Sequence, residues 1–350
     1  MKIKGAVVLL AFVLCLGLAG GVLAADKITW KLATVWPKGT ILQKEMPEHF
    51  ANLVNKMSNG RLEIKVYAAG QLVGALEVLD AVKMGTIDAF HGGAVYWMGK
   101  VPASPLFCTA PFNLGAIPHL TWMYERGGLE MYQELYAGYN VGMALPCGVI
   151  PTEDLAWSHK PIETMDDFKG LKFRTTGWWG EILTSAGASV IMLPAGEVYE
   201  AIQRKVLDAG EFSTPSMDKD LAFYEIAKYV LGPGVHQIMT MLDVVIAKKS
   251  WDALSPDLQE MIKVAAQATT LHMLTKSINA DIAALKFFDE KGVERRSLPP
   301  EVQKELKKKA FELIDKKAEK DPLTKKVWES QQKFRADLVE YEQFMKIQAD

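Results

Sequence analysis

Residues 75–89 read ALEVLDAVKMGTIDA, and residues 195–209 read AGEVYEAIQRKVLDA. Of the fifteen aligned positions six are identical: Ala75/Ala195, Glu77/Glu197, Val78/Val198, Ala81/Ala201, Asp88/Asp208 and Ala89/Ala209. Asp80/Glu200, Val82/Ile202 and Ile87/Leu207 differ conservatively. In each copy apolar residues at i, i+3 and i+4 (Val78, Ala81, Val82; Val198, Ala201, Ile202) predict the buried stripe of a helix. The helices are expected to end near Gly85 and Lys205. The runs TIDAF and VLDAG that follow are too short for helices and read as buried strands. Each copy is therefore helix, turn and strand, one step of a βαβ unit in a parallel sheet. A chain carrying that step twice is expected to fold as two similar α/β domains facing each other across a ligand cleft. In open α/β sheets ligands lie beyond the carboxyl ends of the strands. The segments near His91–Tyr96 and Glu211–Thr214 should then line the cleft.

The flanking sequence fits this scheme. KITWKLATVW (27–36) and LEIKVYAAG (62–70) read as strands, with a helix over about 42–57 between them. A second domain opens after MALPCGV (143–149). It starts with a short helix, a glycine turn and the strand LKFR, followed by the helix WWGEILTSAG and the strand SVIMLP. A strand after LGPGV (231–235) returns the chain to the first domain, and helix dominates beyond Ser255, interrupted by the strand VERRSL. The expected division is domain I over 26–148 plus about 236–275, domain II over 149–235 plus about 290–320, and a C-terminal helix over about 321–350. Lysines in KELKKKAFELIDKKAEK alternate with acids at helical spacing, which marks a solvated face.

The first 25 residues carry Lys2 and Lys4 before an apolar run that ends in VLA (22–24). This is the pattern of a secretory signal peptide cleaved after Ala24 or Ala25; an uncleaved membrane anchor is the alternative. Cleavage removes Lys2, Lys4 and Cys15, leaving 38 basic side chains against 42 acidic ones. A modest negative charge argues against nucleic acid or an anionic membrane surface as partner. Cys108 and Cys147 remain, either as a disulfide of an exported protein or as two buried thiols. Neither G-x-S-x-G, H-E-x-x-H, G-x-G-x-x-G nor a Walker loop occurs, and the six histidines show no metal-ligand spacing. No sequence motif argues for an enzyme; the one enzymatic alternative would use Glu153 and Glu211 as an acid–base pair.

GRLEIKVYAAGQL (60–72), DDFKGLKFRTTG (166–177), GEVYEAIQRKVLDAGEF (196–212) and KKSWDALSPDLQEMI (248–262) together resemble a known family. It is the extracytoplasmic solute receptors of tripartite ATP-independent periplasmic (TRAP) transporters. The stretch from Tyr67 to Ala103 looks most like the branch that binds 2-oxo acids such as pyruvate, and 2-hydroxy acids such as lactate, with a metal cation. The resemblance implies a bilobal periplasmic binding protein fold braced by long C-terminal helices. It further implies delivery of a small carboxylate to a membrane permease. A terminal helix can be swapped between two subunits in this branch, so a homodimer through the C-terminal helix is a possible arrangement.

The same resemblance implies site residues. Arg174, at the end of the strand LKFR, would hold the substrate carboxylate in two parallel hydrogen bonds. Glu211 would bind the cation, with the backbone carbonyl of Phe212 beside it. Where the branch usually has glutamine, GVIPTEDLAWSHKPI (148–162) has Glu153, or Asp154 if the alignment shifts by one. A second carboxylate at one oxygen site favours a divalent cation, calcium, over sodium; Glu153 meeting an amine on another ligand is the alternative. Trp36 and Tyr96 are candidates for covering the ligand. Trp178–Trp179 open a helix, and His236 either reaches the cleft from the returning strand or, the preferred reading, is a turn histidine without a role.

Overall fold

The computed structural model describes residues 27–193 and 195–346. The expected signal peptide lies outside the described residues. Among the described residues no helix is long and apolar enough to cross a membrane.

Two sheets form the framework. The first has the order β2-β1-β3-β10-β4, made of β1 (Ile28–Thr34), β2 (Leu62–Tyr67), β3 (Ala89–Gly92), β4 (Val141–Ile150) and β10 (Thr240–Ala247). The second has the order β11-β9-β5-β8-β6-β7, made of β5 (Ala156–Ser158), β6 (Lys172–Arg174), β7 (Ser189–Ile191), β8 (Ala209–Gly210), β9 (Tyr229–Gly232) and β11 (Glu294–Ser297). The helices that matter below are α1 (His49–Met57), α2 (Val78–Met84), α3 (Ala116–Glu125), α4 (Gly128–Leu135), α5 (Gly177–Ser185), α6 (Ala195–Gln203), α7 (Pro215–Asp220), α8 (Pro256–Glu290), α9 (Pro300–Ala318) and α10 (Pro322–Met345).

The internal repeat maps onto α2–β3 and α6–β8, and its identities have atomic reasons. Val78 and Val198 are buried beneath their sheets. Gly85 and Lys205 both take left-handed backbone at the helix end, with φ of 69° and 58°. Asp88 and Asp208 make the same brace: each accepts a backbone N–H across to the neighbouring parallel strand, from Lys31 at 2.8 Å and from Lys172 at 2.9 Å. The conserved aspartate thus fixes the strand register at the same point of both sheets.

The sheets are mixed, which corrects the parallel expectation. β3 pairs parallel with β1, and β8 pairs parallel with β6. But β10 lies antiparallel between β3 and β4, and β5 lies antiparallel between β8 and β9. These two strands are where the chain has just passed from one sheet to the other. Each enters its sheet without a βαβ crossover, so nothing imposes parallel direction on it.

Two helices brace both lobes. Along α8, Leu258 and Ile262 belong to the core against the first sheet, whereas Ala284 and Phe288 belong to a core of the second. Along α9, Val302, Leu306 and Ala310 pack into the second lobe, and Ile314 and Ala318 into the first. α10 lays Val327, Trp328 and Phe334 on the first-lobe core, near α3 and α4. Cys108 and Cys147 are both buried and unpaired, which settles the earlier alternative in favour of free thiols.

Inside the first lobe, Asp243 of β10 is fully buried and accepts hydrogen bonds from the hydroxyls of Tyr132 and of Tyr136, the latter at 2.8 Å. Burial raises its pKa from 3.8 to about 7, against the pull of the two tyrosines. An unfolded aspartate releases its proton near 3.8, whereas the folded one holds it to about 7. Stability therefore falls as pH rises between those values, and the penalty is complete above the upper one. Asp243→Asn should gain on the wild type across that window, by up to roughly 4 kcal/mol. Urea midpoints of the two proteins at a series of pH values test this; a pH-independent difference would reject it.

Candidate functional site

Three buried titratable side chains meet where the sheets adjoin. Carboxylate or imidazole atoms of Glu153, Glu211 and His236 all lie within 4.8 Å of one another. The chain delivers them from three different places. Glu153 lies between β4 and β5, His236 between β9 and β10, and Glu211 directly after β8. Two members of the cluster therefore sit on connections between the sheets.

Backbone contacts hold Glu153 on both sides. Gly234 donates its N–H to the Glu153 carbonyl at 2.8 Å, and the Glu153 N–H donates to the Gln237 carbonyl at 3.2 Å. Only glycine fits at 234, because a Cβ there would lie 2.3 Å from the Glu153 carbonyl oxygen. Glu153 Oε1 lies 3.2 Å from the Thr240 hydroxyl, whose single proton also has Gln237 Oε1 within reach at 3.0 Å. Glu153 Oε2 has no hydrogen-bond partner and lies 3.9 Å from His236 Nε2.

Arg174 stands beside this group at the end of β6. Its Nε donates to the Leu193 carbonyl at 3.1 Å and its Nη1 to the Glu211 carbonyl at 2.6 Å. The Glu211 carboxylate is 3.2 Å from the same Nη1, an ion pair without hydrogen-bond alignment, so Glu211 Oε1 is unpartnered. Arg174 is 6% exposed, Glu153 5%, Glu211 1% and His236 2%.

The electrostatics follow from carboxyl groups crowded together out of water, with Glu211 paired to the Arg174 guanidinium. Burial first, then the charges of Glu211 and Asp218, hold the Glu153 carboxyl well above the usual carboxylate range. Burial pushes the His236 imidazole down to about 4; Glu211 opposes the shift and Arg174 adds to it. Behind the cluster Asp218 accepts the Trp157 indole N–H at 2.7 Å and the Ser213 N–H at 3.1 Å. Burial still lifts it to about 8, with Glu211 and Asp281 adding. Asp154, the alternative to Glu153, is placed away from the cluster, with Asp218 and Asp281 as its charged neighbours.

The other expected residues divide. Tyr96 keeps 47% of its surface open although protein walls surround it, the position of a residue facing a cleft. Those walls push its hydroxyl up to about 12, with Cys108, Glu153 and Glu211 adding and Arg174 opposing. Trp36 is buried in an apolar cluster with Met46, Ile150 and Met217. Its indole N–H is spent on His91 Nδ1 at 2.9 Å, while His91 Nε2 donates to the Cys147 carbonyl at 3.1 Å. His91, expected at the cleft wall, is fully buried. Phe212 is half-buried between the second-lobe core and that same apolar cluster. His236, set aside in the sequence, packs its ring 5.7 Å from Trp179 and joins the cluster; the rigid LGPGV turn before it was the signal available.

Two α/β lobes braced by shared helices, with a buried polar cluster at their junction, define a two-lobed solute-binding protein. The chain belongs to the bacterial extracellular solute-binding protein family 7, whose model matches residues 32–321. It is 34% identical over 313 residues to a monocarboxylate 2-oxoacid-binding periplasmic protein of Nostoc sp., covering 89% of this chain and 85% of that one. A TRAP periplasmic solute binding protein from Colwellia psychrerythraea, solved with bound calcium and pyruvate, superposes with a TM-score of 0.87 at 31% identity, covering 91% of this chain and 98% of that one. Its counterpart from Pseudoalteromonas atlantica, with bound sodium and pyruvate, gives 0.85 at 31% identity, covering 91% and 97%.

Because the Gly234 Cα hydrogens face the Glu153 carbonyl, Gly234→Ala should force the two segments apart. We expect a loss of about 2 kcal/mol or more, a fall of several degrees in thermal midpoint. An unchanged midpoint would show that the contact yields without cost.

Proposed function

We propose that this protein is a periplasmic receptor that captures a small 2-oxo or 2-hydroxy monocarboxylate together with a cation and delivers it to a TRAP-type membrane permease. The observation that carries the proposal is the pair of buried carboxyl groups, Glu153 and Glu211, each with an unpartnered oxygen, brought together with Glu211 beside the Arg174 guanidinium. A buried carboxylate without a partner is costly unless it meets a cation or keeps its proton. The two carboxylates, with ligand atoms within 4.8 Å of one another, fit a hard cation, and the Phe212 carbonyl is the further oxygen that the family resemblance implies. Two negative ligands favour calcium, with sodium as the weaker occupant. When bound, the cation supplies a fixed positive charge for the ligand's oxygens. Arg174 takes the ligand carboxylate, Tyr96 closes the open side, and His236 presents a neutral imidazole to the same space. Trp36 supports this wall from behind through His91. Closing the two lobes on the ligand gives the permease a shape to recognise. Nothing in this arrangement requires a chemical step, so the ligand is expected to be released unchanged. At the far end of α10 the apolar side chains of Tyr341 and Phe344 are exposed, which suits the helix to contact with a second subunit.

The test is thermal unfolding of ligand-stripped protein with pyruvate, lactate, and aromatic and dicarboxylic acids, each with calcium, with sodium, and with chelator. Ligand at about 100 times its dissociation constant adds about 2.7 kcal/mol, a shift of several degrees. Pyruvate or lactate should raise the midpoint with calcium present and lose most of that shift in chelator. Arg174→Lys, which removes the planar fork, should weaken ligand binding roughly 100-fold, and Glu211→Gln should abolish the calcium effect. A response to pyruvate that is identical in chelator without sodium rejects the cation. A response confined to aromatic or dicarboxylic acids rejects the substrate class and leaves Glu153 as the contact for a different ligand.

A further inference from the structure

The loop before α3 crosses between the lobes at one residue. Ala110 and Leu114 pack into the first-lobe core, whereas Phe112 between them is buried in the second-lobe core with Leu155, Trp179 and Val235. The side chain is redirected by left-handed backbone, φ 55°, which a bulky L residue rarely adopts. Glycine would take this backbone freely but would leave nothing in the second lobe. Such a conformation persists only where its surroundings hold it, and here three parts of the molecule do so. The second-lobe core holds the ring. The Phe112 N–H donates to the Val235 carbonyl at 2.8 Å. The Phe112 carbonyl accepts from Arg335 Nη2 of α10 at 2.9 Å, and the same nitrogen reaches Asn113 Oδ1 at 3.1 Å. One turn earlier on α10, the fully buried Gln331 accepts from Asn113 Nδ2 at 2.8 Å and donates to the Leu106 carbonyl at 2.8 Å.

We propose that Phe112, held by Arg335 and Gln331, is a positioning residue of the ligand site that fixes the 233–237 turn and, through it, His236 and Glu153. Val235, which accepts the Phe112 N–H, stands between Gly234, which donates to the Glu153 carbonyl, and His236, which belongs to the cluster. The other backbone bonds of the turn run within it or to Glu153: Val235 to Pro233, Gln237 to Gly234, Gly234 to Glu153 and Glu153 to Gln237. Those bonds fasten the two interlobe connections to each other. The bond from Phe112 fastens them to a loop of the first lobe, and the Phe112 ring fastens that loop to the second. The proposal rests on the cluster being the ligand site. It adds that α10, none of whose residues is in the cluster, takes part in binding through the contacts of Arg335 and Gln331. A chain of packed and hydrogen-bonded groups of this kind changes affinity by about 10-fold when one link is removed.

Two readouts test it. Calorimetric titration of the ligand-stripped protein with pyruvate in calcium gives the affinity. The His236 ring resonance in protein carrying 13C-labelled histidine, assigned by its absence in His236→Gln, gives the geometry without any ligand. That ring lies 5.7 Å from Trp179, whose ring current makes the resonance sensitive to small displacements. Arg335→Met keeps the apolar stem and removes the donors. It should weaken pyruvate binding about 10-fold and shift the His236 resonance, and Arg335→Lys, which retains a donor, should restore part of both. Phe112→Gly suits the backbone and removes only the ring, so it should act as Arg335→Met does, and it decides the matter if Arg335→Met does not fold. Trp328→Phe, which loses the indole bond to Asp315 on α9, should lower the thermal midpoint yet leave affinity and His236 as in the wild type. An unmoved His236 resonance in either Arg335→Met or Phe112→Gly overturns the proposal, and so does an equal effect of Trp328→Phe. Wild-type affinity in those two variants also overturns it. If the wild type itself does not bind pyruvate, the ligand reading falls, and the His236 resonance alone decides whether Phe112 positions the cluster.

Discussion

A buried guanidinium set beside a cluster of buried carboxyl groups is the constraint around which this molecule is organised. Arg174 closes the end of β6 by donating to the carbonyls of Leu193 and Glu211, so it ties together the segments that follow β7 and β8. In doing so it fixes Glu211 beside Glu153, and burial leaves both carboxylates short of partners. Charges withdrawn from water cost several kcal/mol each unless they are met. Burial, with the charges of Glu211 and Asp218, holds the Glu153 carboxyl well above the usual carboxylate range, which favours its neutral form. Under the proposed function a hard cation would meet the same groups with a charge instead of a proton.

The placement of the cluster joins this chemistry to the architecture. Glu153 and His236 lie on the two connections that pass between the sheets, and Glu211 ends a strand of the second. A change in the angle between lobes must move through those connections. Under the proposed function, side chains holding a ligand there would feel the angle directly, with no need for a remote relay. The braces α8 and α9, each buried partly in one lobe and partly in the other, limit the motions available.

Much of this was legible in residues 75–89 and 195–209. The apolar stripe gave each helix, and the paired aspartates Asp88 and Asp208 proved to be register braces. Arg174 and Glu211 were legible because they end predicted strands, where an α/β fold puts its ligands. Strand direction was not legible for β5 and β10, since an isolated apolar run carries no sign of which neighbour it will join. His236 was missed for a related reason: its role comes from Glu153 and Glu211, which are remote in sequence, and from burial that a turn sequence does not announce. For Trp36 the sequence left core packing and ligand cover as alternatives, because its hydrogen-bond partner, His91, is 55 residues away.

The two free thiols carry a consequence of their own. Burial pushes the Cys108 thiol up to about 12 and Cys147 also well above its ordinary value, so neither forms thiolate at neutral pH. Among the described residues there is no disulfide to form, so their folding depends on no disulfide oxidase or disulfide isomerase. The same cores pack under reducing or oxidising conditions, and Cys108 and Cys147, held as thiols out of water, offer an oxidant little thiolate to attack.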